Sequence, residues 1–164
     1  MKNIQSFKKS IRTGFGFGIT SGVITTLGLM IGLNSGTHSK PAVLGGILTI
    51  AVADAFSDAL GIHISEESKG THTPKEVWTA TISTFLAKFI FALSFILPLI
   101  LFPLNQAVIV SIILGLFYLG FFSYYMSKRQ KQDPLPIILE HVIVALFVIV
   151  ISHLIGDLIN NFFN

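Results

Sequence analysis

With 164 residues, of which 52% are hydrophobic and 12% charged, and a mean hydropathy of +0.76, the chain departs from a soluble domain, in which about 25% of residues are charged. Its apolar residues form blocks of about twenty, the length that crosses a hydrocarbon core, so the expected class is an all-α polytopic membrane protein. The formal charge of +3 lies on basic residues flanking those blocks, which favours lipid headgroups and sets nucleic acid aside, while the lack of cysteine removes disulfides, thiolate ligands and thiol nucleophiles.

The first block, at about 15–33, follows Lys2, Lys8, Lys9 and Arg12. It is longer than the apolar core of a signal peptide and no small-residue cleavage site follows closely, so it reads as a retained helix. Gly14, Gly18, Ser21, Thr25, Gly28 and Gly32 recur at spacings of three or four and form a narrow face on which another helix can approach closely. Ser21, Thr25 and Thr26 add hydroxyls, either bonded to their own backbone or offered to a polar path.

The second block, at about 43–64, contains Asp54 and Asp58 at i and i+4, which puts both carboxylates on one helix face. Asp54 lies about ten residues, or roughly 15 Å, from the end of the block and so near the midplane. A charge there costs about 2.5 to 3.5 kcal/mol on insertion scales, so the group must be paired, hydrated or protonated. Two acids on one face exceed what packing needs and point to a cation site; an interhelical ion pair is the structural alternative. Just beyond, His63, Glu66, Glu67 and His72 form an inner mouth, read either as a solvated charge run or as ion capture.

The third block, at about 82–102, carries Lys88 at about the depth of Asp58, where it either pairs with that carboxylate or snorkels to the interface. In the first case Asp54 is left as the carboxylate that exchanges protons. The fourth block runs over about 107–126. The fifth, at about 137–159, places Glu140 and His141 one turn inside its start, positioned to complete an inner polar cluster. His153 and Asp157, again at i and i+4, either grip a divalent ion or are solvated at the interface.

Five spans with short connections leave no room for a separate soluble domain. Of the eleven Lys and Arg, nine fall on the N-terminal side of the membrane, Lys40 falls on the other, and Lys88 lies within a span. The positive-inside bias predicts a cytoplasmic N-terminus and an external C-terminus, with the plasma membrane as the expected location. Hard oxygen ligands with occasional imidazole suit Mg²⁺, Mn²⁺ or Fe²⁺. No nucleophile and base with an oxyanion hole, nucleotide loop or H-E-x-x-H helix is legible, so an enzyme is not expected.

Three stretches together, "IRTGFGFGITSGVITTLGLMIGL", "LGGILTIAVADAFSDALGIHISEES" and "STFLAKFIFALSFILPLILFP", resemble the vacuolar iron transporter family over about residues 11–159. The resemblance implies a five-helix homodimer that moves Fe²⁺ or Mn²⁺ as substrate in exchange for protons, exporting metal from the cytoplasm with no permanently bound cofactor. It implies Asp58 as a metal contact, Asp54 as a replacement for acids found elsewhere in the family, Ser21 on the path, and Glu66 and Glu67 at the inner mouth. Glu140 and His141 join this set from the residue reading alone. The small face of the first helix would suit contact between subunits. The chain departs from the family in having Ser21-Gly22 for an Asp-Gly pair, Ile50 for a Glu and Ser57-Asp58 for a Ser-Met pair, and it lacks the Glu-rich cytoplasmic helices. A scaffold or regulator that keeps the fold without transport is the alternative, and a carrier for another cation or small solute is a third reading.

Overall fold

The computed structural model describes residues 2–163, with side chains from residue 5 onward. The described residues form six helices: α1 (Lys2–Thr37), α2 (Lys40–Ser68), α3 (Pro74–Ser94), α4 (Ile96–Leu101), α5 (Leu104–Gln130) and α6 (Pro134–Phe163). Because α3 and α4 continue one another over Pro74–Leu101, five helices are long and apolar enough to cross a membrane. The chain is an all-α integral membrane protein.

The helices overrun the apolar blocks. At 36 residues α1 is about 54 Å long at helical rise, against a hydrocarbon core of about 30 Å, so its ends reach into the headgroup layers. The first connection consequently shrinks to His38 and Ser39. His38 takes the left-handed conformation at φ 49, and the Ser39 side chain caps α2 by accepting from the Ala42 N–H, with Pro41 in the first turn. At the start of α3 the Thr73 hydroxyl accepts from the Glu76 N–H and the Glu76 carboxylate accepts from the Thr73 N–H, a reciprocal capping box followed by Pro74.

The third span is not the continuous helix expected over 82–102. It breaks at Phe95, whose N–H bonds the Ala92 carbonyl at 3.2 Å in a tightened turn. Pro98 is the cause: it has no N–H to give the Ser94 carbonyl four residues back, and its ring crowds that carbonyl. Phe95 and Leu99, both fully buried, anchor the break in the core.

Helix α1 is the centre of the bundle, and its small face divides between two neighbours. Gly14 and Gly18 lie against α3: a Cβ on Gly14 would stand 2.1 Å from the Ala80 carbonyl oxygen. Gly28, Gly32 and Gly36 lie against α6, where a Cβ on Gly156 would stand 2.5 Å from the Gly32 carbonyl oxygen. This corrects the expectation that the face serves a second subunit: the chain's own α3 and α6 already occupy it, because glycine lets backbones touch where any side chain would hold them apart. Val23, Leu27, Met30, Ile47 and Phe95 fill the core between these helices. By contrast, α6 fully buries only Ala145 and Gly156; Val148 and Ile149 pack part-buried against the bundle, while Ile143, Phe147, Val150, Leu154 and Leu158 are exposed, as on a lipid-facing helix.

Candidate functional site

Three helices bring five polar side chains together at mid-span. Lys88 is the fifteenth residue of the 28-residue span Pro74–Leu101, and Asp54 is the fifteenth of the 29-residue span Lys40–Ser68. Position alone therefore sets both at the middle of their helices. The Lys88 side chain is 1% exposed, and its ammonium lies 2.5 Å from Asp54 Oδ2 and also pairs with Asp58 Oδ2. Its third contact is the Ser21 Oγ at 2.9 Å. The ammonium donates hydrogen bonds to Ser21 and Asp58 and is ion-paired with Asp54.

The α1 hydroxyls complete the arrangement. Ser21 donates to Asp58 Oδ2 at 2.5 Å, and Thr25 lies 2.9 Å from Asp54 Oδ2. Room for the lysine stem comes from Gly22, where a Cβ would sit 3.1 Å from Lys88 Cγ. With both carboxylates ionised, the cluster has two negative charges against one positive and so retains one uncompensated negative charge. The carboxylates are also its open side: the Asp54 and Asp58 side chains are 27% and 20% exposed, whereas the lysine is sealed.

Two readings of Lys88 are thereby decided. The lysine points into the bundle and does not snorkel to the interface. It also bridges both aspartates rather than Asp58 alone, which removes the expected asymmetry of an engaged Asp58 and a free Asp54. The reason is helical geometry: carboxylates at i and i+4 stand one turn apart on one face, within reach of a single ammonium inserted between them.

The remaining expected site residues lie elsewhere. Glu66 is buried at 2% exposure, with Lys69 Nζ 2.5 Å from one carboxylate oxygen and His72 Nδ1 3.1 Å from the other, so it ties the α2–α3 connection together rather than standing open to an ion. Glu67 is exposed and lines a small cleft of about 100 Å³ with His63, His72 and Trp78. His63 in turn lies 3.0 Å from the Thr81 hydroxyl. Glu140 is exposed on α6, and His141 lies 2.6 Å from the Ser123 hydroxyl on α5. Neither completes a cluster with Asp58, because α6 packs on α1 and α5.

At the opposite end of α6, His153 lies 3.4 Å from Asp157 and 2.5 Å from the Ser35 hydroxyl, which joins α6 to α1. Sequence reasoning saw the His153/Asp157 spacing but missed the Ser35 and Ser123 partners, since a lone serine on a distant helix carries no signal of its own. The expected set of Asp54, Asp58, Ser21, Glu66, Glu67, Glu140 and His141 thus divides into separate places, of which only the first three share a site. Among the described residues no group of three or more His, Asp or Glu is placed to hold a metal ion. Neither a protein-family model nor a curated protein sequence matches the chain.

Proposed function

We propose that the protein is a homodimeric transporter that carries divalent metal, Fe²⁺ or Mn²⁺, out of the cytoplasm in exchange for protons, with Asp54 and Asp58 as the ion-carrying pair. One observation carries this reading: two carboxylates at mid-span, partly open, share a single ammonium. Packing alone gives no reason to hold a second acid at a depth where each costs about 2.5 kcal/mol or more. An arriving dication replaces the Lys88 ammonium between the carboxylates, with Ser21 and Thr25 as the neighbouring oxygens, and the basic end of the bundle faces the cytoplasm.

Exposed small residues on α2 support the homodimer. Gly45, Thr49, Ala53, Ser57 and Gly61 recur every four residues and are all exposed, and a Cβ on Gly45 or Gly61 would meet nothing within 4 Å. A second copy seated on this stripe covers the open side of the Asp54/Asp58 pair and brings the two subunits' carboxylates near one axis.

The experiment is metal flux into liposomes containing the purified protein, with an imposed pH gradient. Asp54→Asn and Asp58→Asn are each expected to lower flux at least tenfold. Flux equal to the parent in both variants would remove the pair from the path.

A second reading has its own observation: the sealed Lys88 ammonium is ion-paired with both aspartates and donates to Asp58 and Ser21, a closed network of the kind a structural ion-pair cluster in a scaffold requires. On that reading the parent shows no saturable metal binding or flux, and exchanging the charges of Asp58 and Lys88 leaves the fold intact.

A further inference from the structure

The basic end of the bundle holds two adjoining cavities that the carboxylate cluster does not use. The first, of about 550 Å³, lies between α1 and α5 and is lined by Lys8, Lys9, Arg12 and Arg129, with Gln5 and Gln130 among the remaining walls. The second, also about 550 Å³, continues from it: Arg12 and Met126 line both. Its walls are aromatic, with Phe15, Phe121, Phe122 and Tyr125 prominent. Among the described residues no carboxylate lines either cavity, and none of the four cations forms an ion pair. The Arg129 guanidinium lies over the Tyr125 ring, 5.1 Å from its centroid, at the junction of the charged and apolar parts.

We propose that this groove binds one anionic phospholipid, its phosphate held by Arg12 and Arg129 and an acyl chain laid along the aromatic wall. The dimensions match: from Arg129 to Phe117 the groove follows twelve residues of α5, about 18 Å at helical rise, and one leaflet of a hydrocarbon core of about 30 Å is about 15 Å deep. Charge selects the headgroup. Four cations without a counter-charge oppose the ammonium of a zwitterionic lipid and favour a headgroup with net negative charge, and the two guanidiniums offer paired donors to phosphate oxygens. The aromatic part selects a lipid over a soluble phosphate, because a soluble anion leaves it empty. The site lies on α1 and α5 with Phe91 of α3, includes no α2 residue, and stands whether or not Asp54 and Asp58 carry ions.

The test is native mass spectrometry of the full chain in detergent, titrated with phosphatidylglycerol or phosphatidylcholine. One phosphatidylglycerol is expected to be retained with a preference of about tenfold over phosphatidylcholine. The Arg12→Gln/Arg129→Gln variant is expected to lose that preference, whereas Lys128→Gln/Lys131→Gln, which removes the same charge at the same end but outside the groove, keeps it. Phe121→Ala is expected to weaken phosphatidylglycerol retention at least threefold and the equally exposed Phe147→Ala on α6 to leave it unchanged. Helical circular dichroism and elution volume matching the parent establish that each variant is folded. Equal loss in the two charge variants would reduce the effect to general surface attraction and overturn the site, as would full displacement of the lipid by millimolar glycerol phosphate or inorganic phosphate, which would assign the cations to a soluble anion.

Discussion

Lys88 is the residue on which the mid-span chemistry turns. Its ammonium is buried, donates to Ser21 and Asp58 and is set between two acids, so removing it leaves two partly buried carboxylates side by side near the middle of the span without their counter-charge. Lys88→Met is expected to destabilise the fold by about 3 to 5 kcal/mol, the usual cost of breaking a buried ion pair from one side, measured as a lowered unfolding midpoint in detergent. Combining it with Asp54→Asn and Asp58→Asn is expected to recover most of that loss, because no uncompensated charge then remains. A triple variant no more stable than Lys88→Met alone would show that the lysine acts through its packed stem against Gly22 and not through its charge. Matching depths in two apolar blocks made a Lys88–Asp58 pair one of two readings of the lysine, beside snorkelling to the interface. Its sharing between both acids was not legible, because that depends on how far α3 inserts between α1 and α2.

At the scale of the helix, spacing in the sequence reveals a face but not what covers it. The α1 glycines announced close approach, and the structure assigns that approach to α3 over Gly14 and Gly18 and to α6 over Gly28, Gly32 and Gly36. Gly14→Ala places a methyl 2.1 Å from the Ala80 carbonyl oxygen, so α1 and α3 must separate. A destabilisation of about 1 to 3 kcal/mol is expected, as for other overpacked positions, read from the unfolding midpoint. Gly45→Leu and Gly61→Leu meet open space within one chain and are expected to leave monomer folding unchanged. If the α2 stripe seats a second copy, the same two changes shift the protein toward monomer in analytical ultracentrifugation. An unchanged dimer fraction would remove α2 from the interface. The break at Phe95 belongs to this scale too: Pro98 stood in the sequence as its cause, within a block whose uniform hydropathy masked it.

For the molecule as a whole, the charge asymmetry leads to an orientation that can be measured directly. The chain has no cysteine, so a single introduced thiol is the only site for a membrane-impermeant reagent. Lys9→Cys and Lys131→Cys are expected to react only from the cytoplasmic side, and Asn161→Cys only from the outside, in sealed vesicles of known orientation. Labelling of Lys9→Cys and Asn161→Cys from the same face would contradict a chain with five crossings.

The number of crossings, their approximate positions and the basic bias of one end could be read without coordinates, since partition into lipid is decided segment by segment from local hydropathy and flanking charge. Packing decided the rest. It joined Lys88 to both aspartates, enclosed Glu66 with Lys69 and His72, sent His141 to Ser123, and arranged Arg12 and Arg129 around one groove. Apart from the local Glu66–Lys69–His72 group, these contacts join residues set by helix rotation, depth and crossing, which arise from side chains interlocking across the bundle and have no counterpart in the composition of any single segment.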